Sequence, residues 1–251
     1  DSSGIITIED LYQGDWTITA TARNISDGDI GTGQGTVTII ARQTASCEIE
    51  VIPYTGNGTV DLTLSWDTES VDVPSVIVNL ISPLGAVVDN VTLENGDNLY
   101  VNNNISAGYY TLKILLQDGV EERGGGADVI RVISGAVTQA SVYIITSSVE
   151  GGAGITIISD LNDPIEINLT GSEVSIVEGT TFTVTAEAVN ASDVIYTWYI
   201  DGTEMISGAS EDQYTVPSDL PVDTHRLDVT IFTSDGLRGG SATHIFDVVG
   251  L

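Results

Sequence analysis

Three stretches of this sequence are variations on a single hairpin. They are Leu11-Tyr-Gln-Gly-Asp-Trp-Thr-Ile-Thr-Ala20, Ile105-Ser-Ala-Gly-Tyr-Tyr-Thr-Leu-Lys-Ile114 and Leu220-Pro-Val-Asp-Thr-His-Arg-Leu-Asp-Val229. Each places an apolar residue before a tight turn and then a strand whose inward positions recur with a period of two. Each continues into a glycine turn (Asp27-Gly28, Asp118-Gly119, Asp235-Gly236) and a small-residue stretch (Gly31 to Gly35, Gly124 to Gly126, Gly239-Gly240). A second strand closes each copy: Thr36–Ile40, Asp128–Ile133 and Thr243–Val249. Repetition at this scale means the chain is a row of similar units.

The three copies are preceded by unequal lengths of chain. A half-sandwich's worth of strand sequence, Gly58 to Asn104, lies before the second, and another, Pro164 to Leu220, lies before the third, but only ten residues precede the first. The expected organisation is therefore an incomplete β-sandwich unit over 1–53, consisting of a closing hairpin plus an extra strand Cys47–Ile52, then a β-sandwich over 54–150 and another over 151–251. Half a sandwich leaves an apolar face and unpaired strand edges in water. A cleaved upstream piece, packing onto the second unit, or a neighbouring molecule must complete it. Gly4-Ile-Ile-Thr-Ile-Glu-Asp-Leu11 also matches Gly154-Ile-Thr-Ile-Ile-Ser-Asp-Leu161 at five of eight positions. An N-terminal strand resembling an internal boundary strand suits insertion into another subunit, the donor-strand mode of recognition.

The remaining periodicity is also β. Alternating or β-branched runs at Thr59–Trp66, Ser75–Ile81, Ala140–Ile145, Thr181–Val189 and Val194–Ile200 are separated by Gly/Asn/Asp turns, and no convincing three-turn helix occurs. The fold class is all-β, with tandem antiparallel sandwiches. Seven Lys+Arg against 36 Asp+Glu leave a net charge of −29, which removes the electrostatic footprint of a nucleic-acid or anionic-membrane binder. No apolar run approaches the length of a membrane span. The single cysteine, Cys47, reads as a small side chain within a strand. The N-terminus lacks a basic leader region, so Asp1 is expected to follow a removed signal. Six of the twelve asparagines, Asn24, Asn57, Asn90, Asn104, Asn168 and Asn190, begin an Asn-x-Ser/Thr triplet, the acceptor for N-glycans on exported proteins. Together with a single lysine, Lys113, these triplets point to an extracellular or cell-surface location.

Within the third unit, Val177-Glu-Gly-Thr-Thr-Phe-Thr-Val-Thr-Ala186, Tyr196-Thr-Trp-Tyr-Ile-Asp-Gly202, Tyr214-Thr-Val216 and His225-Arg-Leu-Asp-Val-Thr230 resemble the immunoglobulin-like and PKD-like domains of prokaryotic surface or filament proteins. The resemblance is clearest over residues 164–251. Trp198 stands where such domains carry the core tryptophan of strand C. The departures are the absent cysteine pair and Trp198-Tyr-Ile-Asp-Gly in place of Trp-x-Phe-Gly-Asp. The resemblance implies spacers, adhesive modules, surface layers or appendage subunits, and the fold alone does not choose among them.

Catalytic parts are scarce. His225 and His244 lie in strands without cysteines or an organised third ligand, and no nucleophile elbow or zinc helix motif is present. The chain is expected not to be an enzyme and to need no cofactor. The only cation candidates are acidic turns, chiefly Asp160 and Asp163 for Ca²⁺. Tyr109, Tyr110, Trp16 and Trp66 would make a sugar-stacking platform if exposed together, although recurrence in the repeated hairpin favours a core role.

The expected function is a non-enzymatic extracellular structural protein, a self-assembling filament or surface-layer subunit. Its assembly strand is Ile5, Ile6 and Ile8, its receiving face Trp16, Ile18, Val37 and Ile39, its partner a homo-polymer with covalent glycans. A head-to-tail contact that does not close yields such a fibre. The alternative is a cell-surface adhesin or carbohydrate-binding accessory module.

Overall fold

The computed structural model describes residues 5–23, 29–66, 71–94, 96–145, 152–158 and 165–250. Among these no helix occurs, and all regular structure is strand.

The best-filled core belongs to the middle of the chain. β4 (Asn57–Trp66), β5 (Pro74–Ile81), β6 (Val87–Glu94), β7 (Leu99–Ser106), β8 (Gly108–Asp118), β9 (Glu121–Val132), β10 (Val137–Ile145) and β11 (Gly152–Ile158) form two four-stranded sheets. Their orders are β11-β10-β4-β7 and β6-β5-β8-β9. Period-two alternation sets the inner faces: Val60, Leu62 and Leu64 of β4 and Leu112, Ile114 and Leu116 of β8 are fully shielded from solvent. Asp89 of β6 ties the sheets at one end, accepting from the Tyr100 hydroxyl at 2.5 Å and from Asn102 Nδ2 at 2.7 Å.

This sandwich closes in an unexpected way. β10, which follows the closing hairpin β8–β9, runs parallel to β4 in register from Val137↔Thr59 to Ile144↔Trp66. Val142 and Ile144 thereby enter the core. The Ile/Thr segment placed at the head of the 151–251 unit instead pairs antiparallel with β10 as β11, in the sheet of the preceding sandwich.

The last sandwich comprises β12 (Ile167–Thr170), β13 (Ser175–Val177), β14 (Thr183–Ala188), β15 (Val194–Ile200), β16 (Thr203–Gly208), β17 (Gln213–Thr215), β18 (Thr224–Thr233) and β19 (Gly239–Val249). Its sheets are β12-β14-β17 and β13-β19-β18-β15-β16. Here a preceding strand, β12, lies antiparallel beside β14. Trp198 fills the space between the sheets, with Nε1 donating to the Glu211 carbonyl at 2.7 Å. That is the position its resemblance implied.

The first unit is a three-stranded sheet, β1 (Gly14–Arg23), β2 (Asp29–Ile39) and β3 (Ile52–Pro53), in that order. The strand expected over Cys47–Ile52 forms only at Ile52–Pro53. Residues 47–50 instead lie across the β1–β2 hairpin: a side-chain carbon at Gly35 would stand 2.8 Å from Ile49 and 3.5 Å from Cys47 Sγ. Glycines on β2 make this close approach possible. The physical reason is a missing ladder. Ala45-Ser-Cys-Glu-Ile49 matches Ala140-Ser-Val-Tyr-Ile144 of β10, but among the described residues the first unit shows no counterpart of β4 for it to pair with.

Candidate assembly surface

The repeated hairpin has different surroundings in its three copies. β8 pairs with β5 along one edge and β9 along the other, and β18 likewise lies between β15 and β19. β1 pairs with β2 alone among the described residues. Its outer edge therefore presents backbone donors and acceptors that the other copies satisfy with a strand. The inner face is only partly covered: Ile18, Val37 and Ile39 are half-buried, and Trp16 remains 37 % exposed, its Nε1 donating to the Tyr12 carbonyl at 3.0 Å. Trp16 and Val37 are cross-strand partners. The expected receiving face is thus one contiguous surface.

The expected assembly strand lies next to it in the chain. Ile5 is 98 % exposed and Ile6 88 %, with Ile8 also exposed, and none of the three belongs to a strand. Such apolar exposure on an extended segment is unusual in a finished surface.

Asn57, Asn90, Asn104, Asn168 and Asn190 are all exposed, and Asn24 lies outside the described residues. Two of them are tied together, with Asn57 Nδ2 donating to Asn104 Oδ1 at 2.6 Å. The glycan-accepting nitrogen of Asn57 is engaged, whereas that of Asn104 is not the donor in this pair. Asn190 Oδ1 accepts from the Glu166 amide at 2.9 Å.

Asp160 and Asp163 lie outside the described residues, among which no cluster of three or more metal-ligating groups occurs. His225 and His244 are not directly opposed, since His225 faces Phe246 and His244 faces Leu227. His244 Nε2 contacts the Glu173 carbonyl at 2.7 Å, so the two rings serve separate partners. The aromatic platform is not assembled. Tyr109 and Tyr110 are buried, Tyr110 donating its hydroxyl to the Ser106 carbonyl at 2.8 Å, and Trp66 packs partly buried on the core.

A second feature escaped the pattern reading. Along β18 the sequence Arg226-Leu-Asp-Val-Thr-Ile231 alternates as a strand with one wet face, yet every one of these residues is buried. The polar face packs on β9 of the preceding sandwich. Asp228, fully shielded, accepts from the Ala127 amide at 3.1 Å, from Arg226 Nε at 2.7 and 2.8 Å, and from Thr243 Oγ1 at 2.6 Å. Ser241 Oγ donates to Asp128 and receives the Val129 amide at 3.3 Å. Burial raises the Asp128 pKa above the usual carboxylate range, and burial together with the Glu204 charge pushes the Tyr199 phenol up to about 12.

Glycine makes the seam possible. A side-chain carbon at Gly125 would stand 2.7 Å from the Ile114 carbonyl and 2.8 Å from that of Asp201, and one at Gly202 would lie 2.9 Å from the Gly126 amide. The Gly124-Gly-Gly126 run was legible as a feature of the repeat but not as a docking surface.

This architecture is a tandem immunoglobulin-like β-sandwich. Solved structures to which the chain is similar include the fibronectin(III)-like modules of Clostridium thermocellum CbhA, 10 % identical, covering 78 % of this chain and 95 % of that one, TM-score 0.29. The chicken CNTN1 FN1–FN3 domains are 9 % identical, covering 94 % and 89 %, TM-score 0.23. Murine CEACAM1b is 8 % identical, covering 77 % and 100 %, TM-score 0.28. No family model and no curated protein matches the chain.

Proposed function

We propose that this chain is a non-enzymatic extracellular structural subunit that polymerises at a cell surface, its first unit completed by a strand from a neighbouring copy. The open edge of β1 carries this reading, because both other copies of the hairpin have a strand there. Ile5, Ile6 and Ile8 of one copy pair along that edge in the next, with Ile6 and Ile8 on the face that carries Trp16, Ile18, Val37 and Ile39 and Ile5 on the other. Donor and acceptor are different surfaces of one chain, so the contact repeats without closing. N-glycans and the net charge of −29 keep neighbouring polymers apart.

The energetics favour a reversible polymer. Burying Ile6 and Ile8 on one strand face contributes about 3–6 kcal/mol gross, toward the low end of an association cost of about 4–15 kcal/mol. Assembly should therefore rise with concentration, and with salt, which screens repulsion between acidic copies. Light scattering and negative-stain microscopy across a concentration series test this. Filaments that vanish on deletion of residues 1–10 are expected. A monodisperse monomer at every concentration, or assembly indifferent to the deletion, overturns it.

A further inference from the structure

On the face of β18 turned away from the seam, within the last sandwich, lies a histidine whose surroundings dictate its protonation. His225 is 3 % exposed. Its Nδ1 lies 2.7 Å from Asp201 Oδ2 and its Nε2 lies 2.9 Å from the Pro221 carbonyl. A carboxylate and a carbonyl only accept hydrogen bonds, so both ring nitrogens must donate, and only the imidazolium can do so. A neutral ring would leave one buried nitrogen lone pair against an acceptor oxygen.

The same carboxylate fixes a turn. Asp201 sits in the left-handed region at φ 50°, a conformation that costs free energy in a non-glycine residue unless its surroundings hold it. Its Oδ1 accepts the Arg226 amide at 2.8 Å, and its own amide donates to the Arg226 carbonyl at 2.9 Å. This turn, Asp201-Gly202, is the part of the last sandwich that abuts Gly125 and Gly126. The groups around His225 are Asp201 on the turn, Asp223 in the lead-in to β18, and Phe246 on β19, whose ring also stacks with His244.

We propose that His225 is a pH-operated latch: as the imidazolium it clamps the Asp201-Gly202 turn onto β9 and joins the two sandwiches rigidly, and on losing its proton it frees the turn and lets them hinge. Burial favours the neutral ring, but the hydrogen bonds to Asp201 and Pro221 and the charges of Asp201 and Asp223 outweigh it and leave the pKa raised. The latch is therefore complete below about pH 6.5, the ordinary histidine value, and is lost as pH rises through the raised one. Mildly acidic surroundings give a stiff pair of sandwiches, and alkaline ones a jointed pair.

The test uses the full chain labelled with ¹⁵N. Long-range proton–nitrogen correlation spectra report the protonation of both His225 nitrogens between pH 5 and 9, and hydrogen-exchange protection factors at Ala127 and Val129 report the seam. Protection should fall about tenfold for each unit by which the latch pKa is raised, with the midpoint of the His225 titration. Asp201→Asn keeps the acceptor for the Arg226 amide but turns a donor toward Nδ1, so both midpoints should drop together. His225→Gln should abolish the pH dependence of protection above pH 7, leaving only the acidic dependence that Asp128 supplies. A singly protonated His225 at pH 6, or seam protection whose midpoint ignores Asp201→Asn, overturns the proposal even if His225→Gln fails to fold.

Discussion

Arg226 and Asp228 stand two residues apart on β18, and the guanidinium Nε donates to both carboxylate oxygens where Asp228 is fully shielded and Arg226 nearly so. Removing one member of such a pair leaves an uncompensated buried charge, which costs about 3–5 kcal/mol. Asp228→Ala and Arg226→Ala should each destabilise the last sandwich by about that amount. Joint replacement by Arg226→Met and Asp228→Leu should recover most of the loss, while the Ala127 amide, deprived of its acceptor, keeps the recovery incomplete. Urea unfolding of the three variants checks this.

Gly125 is predicted to tolerate no side chain. Gly125→Ala drives a methyl against the backbone oxygens of Ile114 and Asp201, which flexible side-chain motion cannot relieve. A loss of about 1–3 kcal/mol is expected, or separation of the two sandwiches with little loss in either. Calorimetry distinguishes one shifted transition from two separate ones. Gly85, beside which a side-chain carbon would meet nothing within 4 Å, adopts a left-handed φ of 82°, so Gly85→Asn should be milder.

Asp128 supplies a pH dependence independent of the histidine. Its folded pKa is raised by burial, so the folded chain binds this proton more tightly than the unfolded one, and stability grows as pH falls through the raised value. Asp128→Asn should flatten that part of the stability curve between pH 7 and pH 4. Denaturant midpoints over that range, compared with the unmodified chain, provide the measurement.

The pair Ile144 and Ile49 offers a contrast between two equivalent sequence positions. Ile144 is fully buried in the closed sandwich, and Ile144→Ala should cost about 2–5 kcal/mol. Ile49 is half-buried over the β1–β2 hairpin, so Ile49→Ala should cost under about 1 kcal/mol in dispersed protein. If a neighbour completes the first unit, Ile49→Ala should also raise the concentration at which scattering appears.

Most of the architecture was legible because inward residues of strands such as β4 and β8 alternate cleanly, and because a thrice-repeated hairpin marks the end of each unit. Two things were hidden. The parallel pairing of β10 with β4 joins segments far apart in sequence, and alternation of Val142 with Tyr143 says only that one face is buried, not which strand lies alongside. The buried face of β18 was hidden because Arg226, Asp228 and Thr230 have the residue types of a wet surface, and only the glycines opposite betray the approach of another sheet. Cys47 and Ile49 carried the same Ala-Ser-x-x-Ile pattern as β10, a signal present in the sequence and readable once β10 had a known place.

The parallel seat of β10 also orders events during synthesis. Asp61 of β4 meets Gln139 of β10 only 78 residues later, after both strands of the hairpin have been made. β4 therefore waits longest for this neighbour, since β7 on its other edge is made first. The sandwich cannot close as its hairpins form one by one; its core is sealed only when residues 137–144 take their place beside a strand made long before.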